Sequence, residues 1–132
     1  MVPLVLSGLA PTACPQVGAV WIDPVSTADH LVLQLGRRRG QPDSVGVSAV
    51  IVVDCAHTTG PIPDSVSAWS IRHPLTVSLS QITYGQPPAG FETRHPQLAL
   101  LPGCYVAEVG GIGNVKFLVA QNGAVTDQGR GY

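Results

Sequence analysis

The chain has 132 residues, of which 45% are apolar and 11% charged, against roughly 25% charged in an average soluble domain. That balance excludes a disordered chain and provides for one domain with a single core. Seven Arg and Lys stand against eight Asp and Glu, a net charge of −1 with Lys116 as the sole lysine. No field is left to hold a phosphate backbone, so nucleic acid is not an expected partner. Weak self-repulsion favours a protein partner or self-association.

Residues 1–13, MVPLVLSGLAPTA, carry no charged side chain, and the apolar run Val2–Ala10 ends in small residues shortly before Cys14. The run resembles the apolar region of an export signal without its positive start, and it is too short for a transmembrane helix, which needs about 20 apolar residues. Pro11-Thr12-Ala13-Cys14 resembles a bacterial lipoprotein box, with Pro11 in place of the usual leucine. Two readings stay open. In one, residues 1–16 are a leader and tether, Cys14 carries lipid, and residues 17–132 form the domain. In the other, VPLVLSGL is a first strand and Cys14 is an ordinary buried cysteine.

From Val17 onward the pattern is that of short strands between turns. Gly18–Asp23 closes on Asp23-Pro24. His30–Leu35 follows, and then Gly36, Arg37, Arg38, Arg39 and Gly40, which read as a hairpin tip. Val45–Val53 is rich in β-branched residues. Ser67–Ile71 places Trp69 and Ile71 on one face and Ser70 and Arg72 on the other, facing outward. In Leu75–Tyr84 the alternation slips near Gln81, as a bulge would make it. Cys104–Val109 stops at Gly110-Gly111. Val115–Ala120, Gln121-Asn122-Gly123 and Ala124–Thr126 predict a hairpin, with Asn-Gly suggesting a type I′ turn. No stretch shows helical spacing with a cap. Fifteen Gly and twelve Pro fit about seven to eight strands in an antiparallel sandwich.

Cys55 ends the third of these strands and Cys104 begins the sixth. Two packed sheets would let them face one another through the core as a disulfide, which requires an oxidising compartment. The alternative is two reduced cysteines acting as small hydrophobes.

The phrases Ala68-Trp69-Ser70-Ile71, Ile82-Thr83-Tyr84-Gly85, Pro87-Pro88-Ala89-Gly90-Phe91 and Leu101-Pro102-Gly103-Cys104-Tyr105, with the closing VKFLVAQNGAV, resemble immunoglobulin-like sandwiches of exported bacterial proteins and lipoproteins. The resemblance covers about Val17 to Asp127. It implies an all-β, immunoglobulin-like domain in the periplasm or at the cell surface, and it implies no activity. Tyr105 follows its cysteine, whereas antibody-type domains place a tyrosine two residues before it.

Little in the chain points to chemistry. Cys55-Ala56-His57 has the spacing of two ligands on one face, but no second close pair completes a structural zinc site. Among the serines there is no Gly-x-Ser-x-Gly elbow, and no phosphate-binding glycine loop is present. No catalytic residue, metal or cofactor is expected. The competing reading is a small extracytoplasmic hydrolase or metal-dependent enzyme that uses His57, His73 or His95. The preferred expectation is a binding or assembly module. Its candidate contacts are Tyr84, Pro87, Pro88 and Phe91 in a rigid aromatic loop, and Arg37, Arg38 and Arg39 toward an acidic partner or anionic lipid.

Overall fold

The structure, a computed structural model, describes residues 18–57 and 64–131. The expected leader and Cys14 lie outside the described residues. Nine strands are present among them: β1 (Ala19–Ile22), β2 (Val32–Gly36), β3 (Val45–Asp54), β4 (Trp69–Leu79), β5 (Gln81–Thr83), β6 (Glu92–His95), β7 (Gly103–Val109), β8 (Gly113–Val119) and β9 (Val125–Asp127). All pair antiparallel, in a three-stranded sheet ordered β1-β2-β5 and a six-stranded sheet ordered β6-β4-β3-β7-β8-β9. The fold is a β-sandwich.

Alternation along the strands builds the core. The smaller sheet contributes Val20, Ile22, Leu33, Leu35 and Ile82. The larger contributes Val47, Val50, Val52, Trp69, Ile71, Ala107, Val109, Val115 and Phe117, all in one buried cluster. In β3 the core-facing residues shift from Val45 and Val47 to Val50 and Val52, which a strict period of two forbids. The irregularity that permits this lies between Val47 and Ala49, where β3 advances two residues while β4 runs from Val77 back to Arg72. Pro74 sits within the extra β4 residues, where its missing N–H breaks no ladder.

The slip near Gln81 is larger than a bulge. At Ser80 the chain leaves the six-stranded sheet and enters the three-stranded one, so the single expected strand is divided between two sheets. The Ser80 carbonyl accepts a hydrogen bond from the Leu35 amide at 2.9 Å, which ties the crossing to β2. The arginine turn is also a crossing. It carries the chain from β2 in one sheet to β3 in the other and is not the tip of a hairpin. Its closure is local, by a bridge between Arg38 and Gln41, with Gly40 at φ 86°.

The β8–β9 hairpin forms where expected, with a different turn. Val119 pairs with Val125, the Gly123 amide donates to the Ala120 carbonyl, and of the loop residues only Gly123 has positive φ. A type I′ turn would need Asn122 to be left-handed as well; a single glycine there marks the longer loop built on an ordinary turn.

Trp69 and Ile71 are each 1% exposed, and Arg72 is exposed. Ser70 lies on the opposite face from Trp69, yet it is buried, which corrects the expectation that it faces solvent. Val53 and Val106 are buried on that same outer face. The C-terminal segment passes over it, close enough that a side chain at Gly131 would meet both Val106 methyl groups.

Candidate functional site

Cys55 and Cys104 are joined as a disulfide with Cα atoms 5.4 Å apart. Its position differs from the expected one. Asp54 pairs with Tyr105 in the β3–β7 ladder, so the bond links neighbouring positions of one sheet and does not cross the core. Tyr105 faces the core, which puts Cys104 on the outer face at the end of the sheet where β3 finishes.

Beside this disulfide lies a cleft of about 180 Å³ lined by Asp54, Val66, Ala68, Leu98, Leu101 and Tyr105, among others. Three of its lining side chains are exposed large hydrophobes, with Val66 at 37%, Leu98 at 52% and Leu101 at 66%. The segment carrying Leu98 and Leu101 is held from below. The Leu98 amide donates to the Ala68 carbonyl, and the Tyr105 hydroxyl donates to the Leu101 carbonyl. The apolar side chains are therefore presented on fixed backbone. Periodicity along the strands could not reveal this cleft, because its exposed apolar residues, Val66, Leu98 and Leu101, come from connections.

The residues of the aromatic loop differ in exposure. Tyr84 is 6% exposed and belongs to the core, edge-on to Trp69 with ring centroids 5.3 Å apart. Its hydroxyl lies 2.7 Å from the Leu98 carbonyl and 3.0 Å from that of Ala68, joining two backbone segments. Burial pushes the phenol pKa up to about 12. Phe91 is half-buried against the core and packs on the His73 ring at 5.2 Å. Pro88 is half-buried, and Pro87 is exposed.

The three arginines separate in role. Arg39 reaches back to the sandwich, donating to the Val20 carbonyl and forming an ion pair with Asp127. Arg37 lies 3.8 Å from Asp43 in an exposed pair. Arg38 is exposed at the turn.

His57, His73 and His95 occupy separate places. His57 Nδ1 is 2.8 Å from Asp54 Oδ1 just beyond β3. His73 Nδ1 is 2.9 Å from the Leu75 amide within β4, and His95 Nδ1 is 2.9 Å from the Pro96 carbonyl at the end of β6. Among the described residues no three His, Cys, Asp or Glu side chains group as metal ligands would. No described helix is long and apolar enough to cross a membrane.

The chain matches no protein-family model, no curated protein and no solved structure.

Proposed function

We propose that this chain is a non-catalytic, exported module that binds a protein partner at the bacterial cell envelope, and that the cleft beside the disulfide is its contact surface. The observation that carries this reading is the convergence of Val66, Leu98 and Leu101, three exposed apolar side chains, on one cleft. Grouped apolar exposure on fixed backbone is what a protein contact uses, whereas single exposed hydrophobes are ordinary. The disulfide supports export, since such bonds persist in oxidising compartments. We place the fold with the immunoglobulin-like sandwiches on its two antiparallel sheets and its core tryptophan; its disulfide departs from theirs by lying within one sheet. Lipid attachment at Cys14 belongs to the same proposal and would hold the module at the envelope.

A photo-reactive residue at Leu98, with one at Thr126 on β9 as control, tests the contact surface in cells expressing the full chain. The expected result is a discrete protein adduct from position 98, absent from 126 and lost in Leu101→Asp. Equal labelling from both positions, or none from 98, overturns the reading. Intact mass of the membrane-extracted protein tests Cys14, and an unmodified cysteine removes the anchor.

A further inference from the structure

We infer that the end of the sandwich opposite the apolar cleft seats on an anionic bilayer surface through Arg37, Arg38 and Arg130. The inference rests on the envelope reading given above and adds a second partner at a different face.

The register fixes which groups share this end. Ala19 pairs with Gly36, so Arg37 begins where β1 begins, and the Gly18 amide donates to the Ile112 carbonyl in the β7–β8 turn. A cleft lined by Arg37, Ser44, Val45, Gly46, Ser78 and Ile112 joins the arginine turn to the start of β3 and the end of β4. A second cleft brings Arg130 together with Arg39 and Gly18. Four of the seven cationic residues thus surround the point at which the chain passes to residues 1–17.

Two carboxylates lie against this cluster, and each has a partner in it. Asp127 is held by Arg39, and exposed Asp43 lies by Arg37. Glu108, half-buried, is set one position in from the β7–β8 turn. Arg38 and Arg130 are exposed. Asp23, Asp29 and Asp54 lie toward the other end, where β1 and β3 finish. There the Val25 amide and the Gln34 side chain hold the Asp23 carboxyl below its ordinary pKa, so it stays ionised. Charge is therefore divided along the length of the sandwich.

The occupant follows from what precedes Gly18. In the envelope reading Cys14 carries lipid, and only Pro15, Gln16 and Val17 separate it from Gly18 at the arginine end. A lipid anchor joined by a short tether to a cationic folded surface is the arrangement that bilayers with anionic headgroups attract. A soluble phosphate compound would need no such neighbour. The Arg38–Gln41 bridge closes the turn, with Gly40 at positive φ, so the arginines are presented on a defined backbone.

The test is co-sedimentation of the full chain with phosphatidylcholine vesicles, with and without 30% phosphatidylglycerol. Binding to the anionic vesicles should exceed binding to the neutral ones at least tenfold and fall away in high salt, with about fivefold per arginine as the scale of each contact. Arg38→Gln should weaken the anionic preference about fivefold, and Arg38→Gln with Arg130→Gln about twenty-five-fold, both with unchanged Tm. Arg94→Gln on β6, an equal loss of charge elsewhere, should leave the preference intact. Equal binding to both vesicle types, no binding to either, or an equal effect of Arg94→Gln overturns the inference. Full competition by millimolar inorganic phosphate also overturns it, since that marks a site for a free anion. Adducts from position 98 are read independently, so either proposal can fail without the other.

Discussion

The Arg39 guanidinium and the Asp127 carboxylate close the gap between the two sheets on the side where β1 and β9 are edge strands. Arg39 donates to the Val20 carbonyl at 3.3 Å, and Asp127 accepts from the Ile22 amide at 2.9 Å, so the ion pair occupies the place of a missing backbone ladder. Backbone contacts complete the seam. Gly18 bonds to Ile112 at one end, and Ala28 bonds to Gly123 at the other. Asp127→Ala strands the Ile22 and Gly129 amides as well as Arg39; the expected cost is about 2 kcal/mol. Arg39→Ala should cost about 1 kcal/mol, because its side chain is 46% exposed and solvent screens the pair. Urea unfolding of the two single variants and the double variant measures the coupling, and strict additivity would show that the pair is not a unit.

The Cys55–Cys104 bond spans a sequence separation of 49 residues. Constraining an unfolded loop of that length is worth on the order of 4 kcal/mol in the chain-entropy model. Cys55→Ala with Cys104→Ala should lower stability by about that amount while leaving the apolar core untouched, since the bond lies on the outer face. Thermal unfolding of the oxidised wild type, the reduced wild type and the double variant checks this. A reduced wild type that melts with the oxidised form would contradict it.

Trp69 fills the centre of the core between the sheets and meets Tyr84 edge-on. Trp69→Ala should cost ~3–5 kcal/mol, enough to unfold a marginal domain. Ser70→Ala, one residue on and buried on the other face, should cost less than half of that, since only a small polar group is lost. Denaturant midpoints at constant m separate the two. An unchanged midpoint for Trp69→Ala would place the indole outside the core.

Strands were legible wherever alternation or a β-branched run met a turn residue, as at Val45–Val53 and Cys104–Val109. β6 was not, because Glu92, Thr93, Arg94 and His95 have no apolar face; an edge strand with solvent on one side does not need one, and its charges deter pairing with other chains. Sheet membership was also hidden. The slip of alternation near Gln81 marks an irregularity but does not say that the chain changes sheets, because each half keeps its alternation and only long-range pairing separates them. The cysteines show the same limit. Their placement at strand ends indicated proximity, but the register Asp54–Tyr105 is a tertiary fact, and it decided that the bond lies within a sheet. The arginine run read as one feature, yet a single position separates Arg39, engaged with Val20 and Asp127, from Arg38, which faces solvent. The apolar cleft draws on Val66 from the β3–β4 connection and on Leu98 and Leu101 from the β6–β7 connection, and no local pattern relates the two.

Tyr84 gives the fold a pH response at the alkaline end. Its one hydroxyl proton is shared between the carbonyls of Leu98, at 2.7 Å, and Ala68, at 3.0 Å, and burial raises its pKa from an ordinary 10 to about 12. The folded state therefore holds this proton more tightly than the unfolded chain does. A group of this kind contributes its full stabilisation below the unfolded value and loses it as pH rises through the folded one. The domain should accordingly weaken between about pH 10 and pH 12, where the unfolded phenol ionises and the native one resists. Tyr84→Phe removes both hydrogen bonds and the titration together. At neutral pH the variant should be less stable by about 1–2 kcal/mol, the cost of leaving two carbonyls without this donor. Above pH 10 the difference between wild type and variant should shrink, because only the wild type loses the phenol's contribution. Tm measured from pH 7 to pH 11.5 for both proteins is the check, together with the absorbance of ionised tyrosine. Parallel Tm curves across that range would show that Tyr84 is not the group responsible.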